Sequence, residues 1–131
     1  MMKIHITKFD LDRLNQLLEK RKPHDEYDRA LSAELENAEV VAAKSIPDDV
    51  ITMNSQVKFK DVDGKEKIYW LVFPEDADVT ENKISILSPV GCSLIGYRIG
   101  SDVVIPTPHG NKKLTVEEIL YQPERAGDFD R

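Results

Sequence analysis

Hydrophobic positions change their period once along the chain, and the change divides it. From residue 8 to residue 42 apolar residues recur at three- and four-residue spacing. Leu11, Leu14 and Leu18, with Leu17 beside them, form one stripe, and Tyr27, Leu31, Leu35, Ala38 and Ala42 form a second. Glu34, Glu36 and Glu39 supply the polar face of the latter. Such spacing places the apolar side chains on one side of a helix. Thr7 is a suitable N-cap with Asp10 three residues on, and Pro23 stops the first helix after Lys20-Arg21-Lys22, cations that suit a helix C-terminus. The pattern predicts two helices of roughly 15 residues, each about 22 Å long. Joined around His24-Asp25-Glu26, they form an antiparallel hairpin.

Ser45-Ile46-Pro47-Asp48-Asp49 interrupts the helical period, and beyond it apolar and polar residues alternate. Alternation predicts strands at Gln56–Lys60, Lys67–Phe73, Lys83–Leu87, Asp102–Pro106 and Lys113–Tyr121. Asp63-Gly64 supplies a hairpin turn between the first two. Pro106 and Pro108 suit a strand end or a sheet edge. In the last strand Leu114 and Val116 alternate, but Ile119 falls out of phase across Glu117-Glu118, which predicts a β-bulge. After the third strand, Ser88 is an N-cap, Pro89 occupies the first helical position, and Gly96 supplies a left-handed stop. A short helix is thereby pinned against the strand end. The expected fold class is α+β: a short helical hairpin over residues 1–46, then a small twisted antiparallel sheet with one short helix over residues 47–131.

Composition narrows the function. The net charge is −6 and neither half of the chain is basic, so direct DNA binding, which requires neutralised phosphates, is not expected. No apolar run approaches the roughly 20 residues that span a bilayer, and Met1-Met2-Lys3-Ile4-His5-Ile6 lacks the apolar core of a signal peptide. A cytoplasmic, non-membrane protein is expected. The single cysteine, Cys92, excludes an intramolecular disulfide. Near a helix N-terminus its thiol would be acidified, but among Val90, Leu94 and Ile95 a small buried residue is the stronger expectation. His5, His24 and His109 lie in separate segments with no metal-ligand spacing, and the glycines form no phosphate-cradling loop. No cofactor, metal or catalytic group is expected.

Four segments carry a resemblance: Ser88-Pro89-Val90-Gly91-Cys92-Ser93-Leu94-Ile95-Gly96, Thr107-Pro108-His109-Gly110, Thr52-Met53-Asn54-Ser55 and Tyr121-Gln122-Pro123-Glu124-Arg125-Ala126-Gly127-Asp128. The first two together with the Tyr121–Asp128 tail resemble, as an ordered set, the C-terminal domain of the Gre transcript factors. The whole set is similar to the related family of regulators of nucleoside diphosphate kinase, to which the Pro-Glu-x-Ala-Gly-Asp ending points. The similarity runs from about Phe9 to Asp128. It implies an N-terminal antiparallel coiled coil followed by an FKBP-like domain. It also implies binding to bacterial RNA polymerase at the entrance of the secondary channel, with Leu87, Ser88 and Pro89 in the docking loop. In Gre factors acidic residues at the coiled-coil tip help to hold a catalytic Mg²⁺; the matching tip is His24, Asp25 and Glu26, with Asp28 just inside the second helix. Asp25 and Glu26 are adjacent here, and the helices are about half as long as a Gre arm. A non-enzymatic, monomeric regulator that competes with Gre-like factors is therefore expected, its effect on nucleoside diphosphate kinase being indirect or through direct contact. The alternatives are a Gre-type stimulator of transcript cleavage and an FKBP-like prolyl isomerase. The latter requires an aromatic-walled pocket, for which Tyr69, Trp70 and Phe73 are the candidates.

Overall fold

The structure, a computed structural model, describes residues 4–21, 23–107 and 109–129. Lys22, Pro108 and the first three residues, each invoked above, lie outside the described residues. The chain begins with strand β1 (His5–Thr7), which runs directly into helix α1 (Lys8–Glu19). A short connection leads to helix α2 (Glu26–Asn37) and then to strand β2 (Glu39–Val41). β1 and β2 pair in parallel, His5 opposite Glu39 and Thr7 opposite Val41.

That small ladder corrects the helix lengths. Each helix has 12 residues, so at 1.5 Å per residue each is about 18 Å long. Ala38 is the cap of α2 and Ala42 lies beyond β2, so neither continues the helical stripe. Glu39-Val40-Val41 reads as helix by spacing but is held extended by β1. The first helix likewise ends at Glu19, before Pro23, leaving Lys20 as its cap and Arg21 in the connection.

The second part of the chain forms a five-stranded sheet. Its strands are β3 (Gln56–Asp61), β4 (Glu66–Val72), β5 (Lys83–Ser85), β6 (Asp102–Thr107) and β7 (Gly110–Tyr121), in the spatial order β5-β4-β3-β7-β6. The sheet is mixed, which corrects the all-antiparallel expectation: β5 pairs in parallel with β4, Trp70 opposite Lys83 and Val72 opposite Ser85. A parallel neighbour requires a crossover. The 3₁₀ turns Pro74–Asp76 and Val79–Glu81 provide it, with Asn82 in the left-handed region at φ 57°. β5 stops at Ser85, two residues short of the expected end, because residues 86–87 turn into helix α3 (Pro89–Cys92).

The predicted bulge is present. Lys58 faces Glu118 and Phe59 faces Val116, leaving Glu117 as the extra residue. A second irregularity at Leu120 separates Ile119 from Tyr121. The Glu117 insertion resets the alternation, so Leu114, Val116 and Ile119 all reach the core from one strand. At the 62–65 turn Gly64 takes φ 82°, as a tight hairpin needs.

Helices and sheet share one hydrophobic cluster. Leu14, Leu18, Leu31 and Leu35 belong to the same buried group as Phe59, Leu71, Val116 and Ile119. Gly96, at φ 82°, lies well past the end of α3 and does a different job from the stop expected of it. A Cβ there would come within 2.3 Å of Ile4 Cβ, so the glycine lets β1 lie against the body. Replacing Leu14, fully buried, with Ala should cost about 2–5 kcal/mol and lower the urea midpoint of the whole chain in one transition. Unfolding of the helices alone, with the sheet left intact, would contradict this shared core.

Candidate interaction site

The residues singled out by sequence occupy two neighbouring places. Helix α3 opens at Ser88, whose hydroxyl accepts from the Gly91 amide at 3.0 Å and donates to the Ser85 carbonyl at 2.7 Å. The Leu87 amide donates to Ser85 Oγ at 3.1 Å. Both ends of this loop are thus tied to the end of β5. Leu87, Ser88 and Pro89 remain half-buried, with part of their surface open to solvent. Gly91 is the contact that sets the loop's height. A Cβ there would lie 1.9 Å from the Ser85 carbonyl oxygen, so only glycine lets the helix backbone settle on the strand.

The helical tip is held by a capping box. Asp25 Oδ1 accepts from the Asp28 amide at 2.7 Å and Asp28 Oδ2 from the Asp25 amide at 3.2 Å. Arg21 lies across both, its Nε 3.3 Å from Asp28 Oδ1 and its Nη2 3.7 Å from Asp25 Oδ2. His24 donates through Nε2 to the Leu18 carbonyl at 2.8 Å, and Arg29 donates to the His24 carbonyl at 2.9 Å. Asp28 is buried, while Asp25 and Glu26 are exposed. A hard divalent cation takes several free carboxylate or water oxygens. Here the two aspartates already accept backbone amides and face a guanidinium, so this donor set does not fit a Mg²⁺ ion. Among the described residues no group of three or more His, Cys, Asp or Glu is arranged to hold a metal.

Tip and loop are neighbours because α2 packs on α3. Cys92 lies between them, half-buried, and its thiol is pushed up by burial, then by the charges of Asp25 and Asp28. Burial thus outweighs the helix-end acidification considered above and disfavours the thiolate.

Sequence reasoning missed a third group, at the junction of helices, sheet and tail. Asp10 is fully buried and accepts from the Met53 amide at 3.1 Å and from Arg13 Nη2 at 2.5 Å. The Arg13 guanidinium lies over Phe9 and Phe73, 3.9 and 4.7 Å from their ring centroids. From the other side, Thr52 Oγ1 donates to Glu124 Oε1 at 2.8 Å. Glu124 belongs to helix α4 (Pro123–Ala126). Just before it, Gln122 is buried and donates to the carbonyls of Pro47 and Val50 at 2.9 and 2.7 Å. Tyr121 donates to Asp128, closing the tail on itself. The Thr52–Ser55 and Tyr121–Asp128 motifs were the signal for this junction. Their partner, Asp10, looks like an ordinary cap residue in sequence.

Comparison with known proteins places this architecture. A family model described as "Transcription elongation factor, GreA/GreB, C-term" matches residues 46–121, and one described as "Rnk N-terminus" matches residues 3–41. The class is thus that of the Gre-type transcription factors. The "Regulator of nucleoside diphosphate kinase" of Escherichia coli K12 is 40% identical over 102 residues, 76% of this chain and 75% of that protein. The chain belongs to the Rnk family, with a Rnk N-terminus joined to a GreA/GreB-type C-terminal domain. The "Transcription elongation factor GreA" of Syntrophus aciditrophicus is 38% identical over 95 residues, 69% of this chain but only 59% of that protein. A solved structure from Nitrosomonas europaea, "Prokaryotic transcription elongation factor GreA/GreB", superposes with a TM-score of 0.82 at 39% identity. It covers 92% of this chain and all of that one. Gfh1 of Thermus aquaticus superposes with a TM-score of 0.52 at 25% identity, covering 91% of this chain and 99% of that one.

Two substitutions separate the roles of the loop residues. Ser88→Ala should cost about 1 kcal/mol, the usual value of an N-cap. Gly91→Ala should cost clearly more, because backbone and not a movable side chain blocks the added methyl. Equal melting temperatures for the two variants would refute this ranking.

Proposed function

We propose that this chain is a non-enzymatic transcription regulator that binds bacterial RNA polymerase at the entrance of the secondary channel. In this reading the half-exposed Leu87-Ser88-Pro89 loop makes the docking contact, on a domain of the FKBP-like type. The chain acts as a monomer in the cytoplasm and needs no cofactor. It competes with Gre-type factors without stimulating transcript cleavage itself. Family membership supports the partner. The observation that carries the non-cleaving part is the state of the tip: Asp25 and Asp28 are engaged by backbone amides and by Arg21. The helices, about 18 Å long, also stay packed on the body at α3. Catalysis through a bound metal tolerates little misplacement, an error near 1 Å costing about a hundredfold. The link to nucleoside diphosphate kinase, carried by the relative's name, follows in this reading from altered transcription; direct contact with the kinase is the other route. Among the described residues no helix is long and apolar enough to cross a membrane.

Core polymerase should retain this protein in a pull-down, and an excess of a Gre factor should displace it. Pro89→Asn should weaken retention while lowering stability by only about 1 kcal/mol, the scale of a disturbed helix start. A folded variant with unchanged retention would show that the loop does not dock. The cleavage half is read on a stalled elongation complex with labelled RNA. The protein alone should release no cleaved transcript, and it should reduce cleavage by an added Gre factor. Strong cleavage by the protein alone, abolished by Asp25→Asn with Glu26→Gln, would establish the stimulator instead.

A further inference from the structure

The end of β4 carries the Leu87-Ser88-Pro89 loop. β5, which leads into the loop, is an edge strand of three residues, paired with β4 from Trp70 opposite Lys83 to Val72 opposite Ser85. The seam closes with the Ile86 amide donating to the Val72 carbonyl at 2.8 Å, and Leu87 follows at once. So short a strand makes few ladder bonds of its own, and its placement follows that of β4.

Phe73, the residue after Val72, begins the crossover, its carbonyl accepting the Asp76 amide at 2.9 Å. Its ring borders an open cleft of about 380 Å³ between α1 and Pro74, so packing covers only part of it. Arg13 reaches the ring from α1. Its guanidinium carbon lies 4.7 Å from the Phe73 centroid and 3.9 Å from that of Phe9. A planar guanidinium can stack on aromatic faces and still donate within its own plane. Here it donates to Asp10, whose other oxygen accepts the Met53 amide. The 52–55 turn is itself bound to β4, Asn54 donating to the Leu71 carbonyl and Leu71 to the Ser55 carbonyl. The first turns of α1 thus grip the end of β4 at two places, Leu71 through the turn and Phe73 through Arg13.

We propose that Arg13 is a positioning residue for the Leu87-Ser88-Pro89 loop. By stacking on Phe73 it fixes the end of β4, and through the bond between Val72 and Ile86 it sets where the loop stands. Its importance for docking rests on the reading proposed above, whereas the mechanical link from Arg13 to Ile86 does not. The helical hairpin then controls the loop in two ways, through Arg13 and through the packing of α2 on α3.

Three substitutions separate stacking from charge. Arg13→Lys keeps a cation beside Asp10 and loses the planar stack, Phe73→Leu keeps an apolar side chain and loses the ring, and Phe73→Tyr keeps the ring. Amide hydrogen exchange by NMR on the full chain reads the loop, with the central amides of β3 reporting global unfolding. Relative to β3, Ile86 protection should fall about three- to tenfold in Arg13→Lys and in Phe73→Leu. It should stay at the wild-type value in Phe73→Tyr. The double variant Arg13→Lys with Phe73→Leu should fall no further than either alone, since both remove one contact. Retention by core polymerase should weaken in the same order, with Pro89→Asn as the loop control. Unchanged Ile86 protection would overturn the proposal, as would a fall fully shared by β3 or effects that multiply in the double variant. So would full retention of an Arg13→Lys protein with a loosened loop when Pro89→Asn weakens retention. Retention unaffected by Pro89→Asn strikes the docking reading instead, and the exchange data then decide the link from Arg13 to the loop by themselves.

Discussion

The turn at Thr52–Ser55 is the constraint on which the rest of the structure depends. It follows the linker, precedes the sheet, and has no neighbouring strand to satisfy its whole backbone. Asn54 takes a left-handed conformation at φ 65° and donates to the Leu71 carbonyl, while the Ser55 carbonyl accepts from Leu71. Ser55 Oγ accepts from the Thr52 amide, and the Met53 amide goes to Asp10. Buried backbone groups must find partners, so the three surrounding elements are drawn to this point. The sheet comes in through β4, the helices through Asp10, and the tail through Glu124, while Gln122 holds the linker just before the turn. Ile51, next to it, ties in the segment that follows α3 by donating to the Tyr97 carbonyl and accepting from the Gly96 amide.

The polar residues that look most like chemistry are largely occupied by structure. Ser88 donates once and accepts once, both within its own loop. Asp25 and Asp28 cap each other's amides and share Arg21. What remains for a partner is shape and position: a half-exposed apolar loop fixed to the end of β5, beside a compact helical tip. That arrangement suits an interaction protein, because recognition of a surface needs a rigid, pre-organised element more than a free functional group.

Helix caps, stripes and turns were legible in the chain itself because each is decided within a few residues. Thr7 and Ser88 cap as their spacing demands, and the Glu117 bulge is where the alternation slips; the Asp25–Asp28 capping box was not read from the sequence. The short helix, the hairpin at Gly64 and all five expected strands of the sheet follow the same logic, to within a few residues at their ends. The two groups of candidate residues, Leu87-Ser88-Pro89 and His24-Asp25-Glu26, are local features of this kind, and their identities could be read directly. Their proximity could not, since it depends on α2 packing against α3.

Long-range partners decided the rest. Glu39-Val40-Val41 carries helical spacing but is extended, because β1 offers a parallel ladder that the helix would forgo. β5 is parallel to β4 because the chain between them crosses over in two 3₁₀ turns, whose short polar sequence shows no crossover pattern. Asp10 reads as a surface residue of a first helical turn and is instead the buried bond between helices and sheet. Periodicity states which face of an element is apolar; it contains no term for which amide, forty residues away, will be left without a partner. That accounting closes only in three dimensions, where the desolvation of a buried carboxylate is weighed against the guanidinium beside it and the backbone group it satisfies.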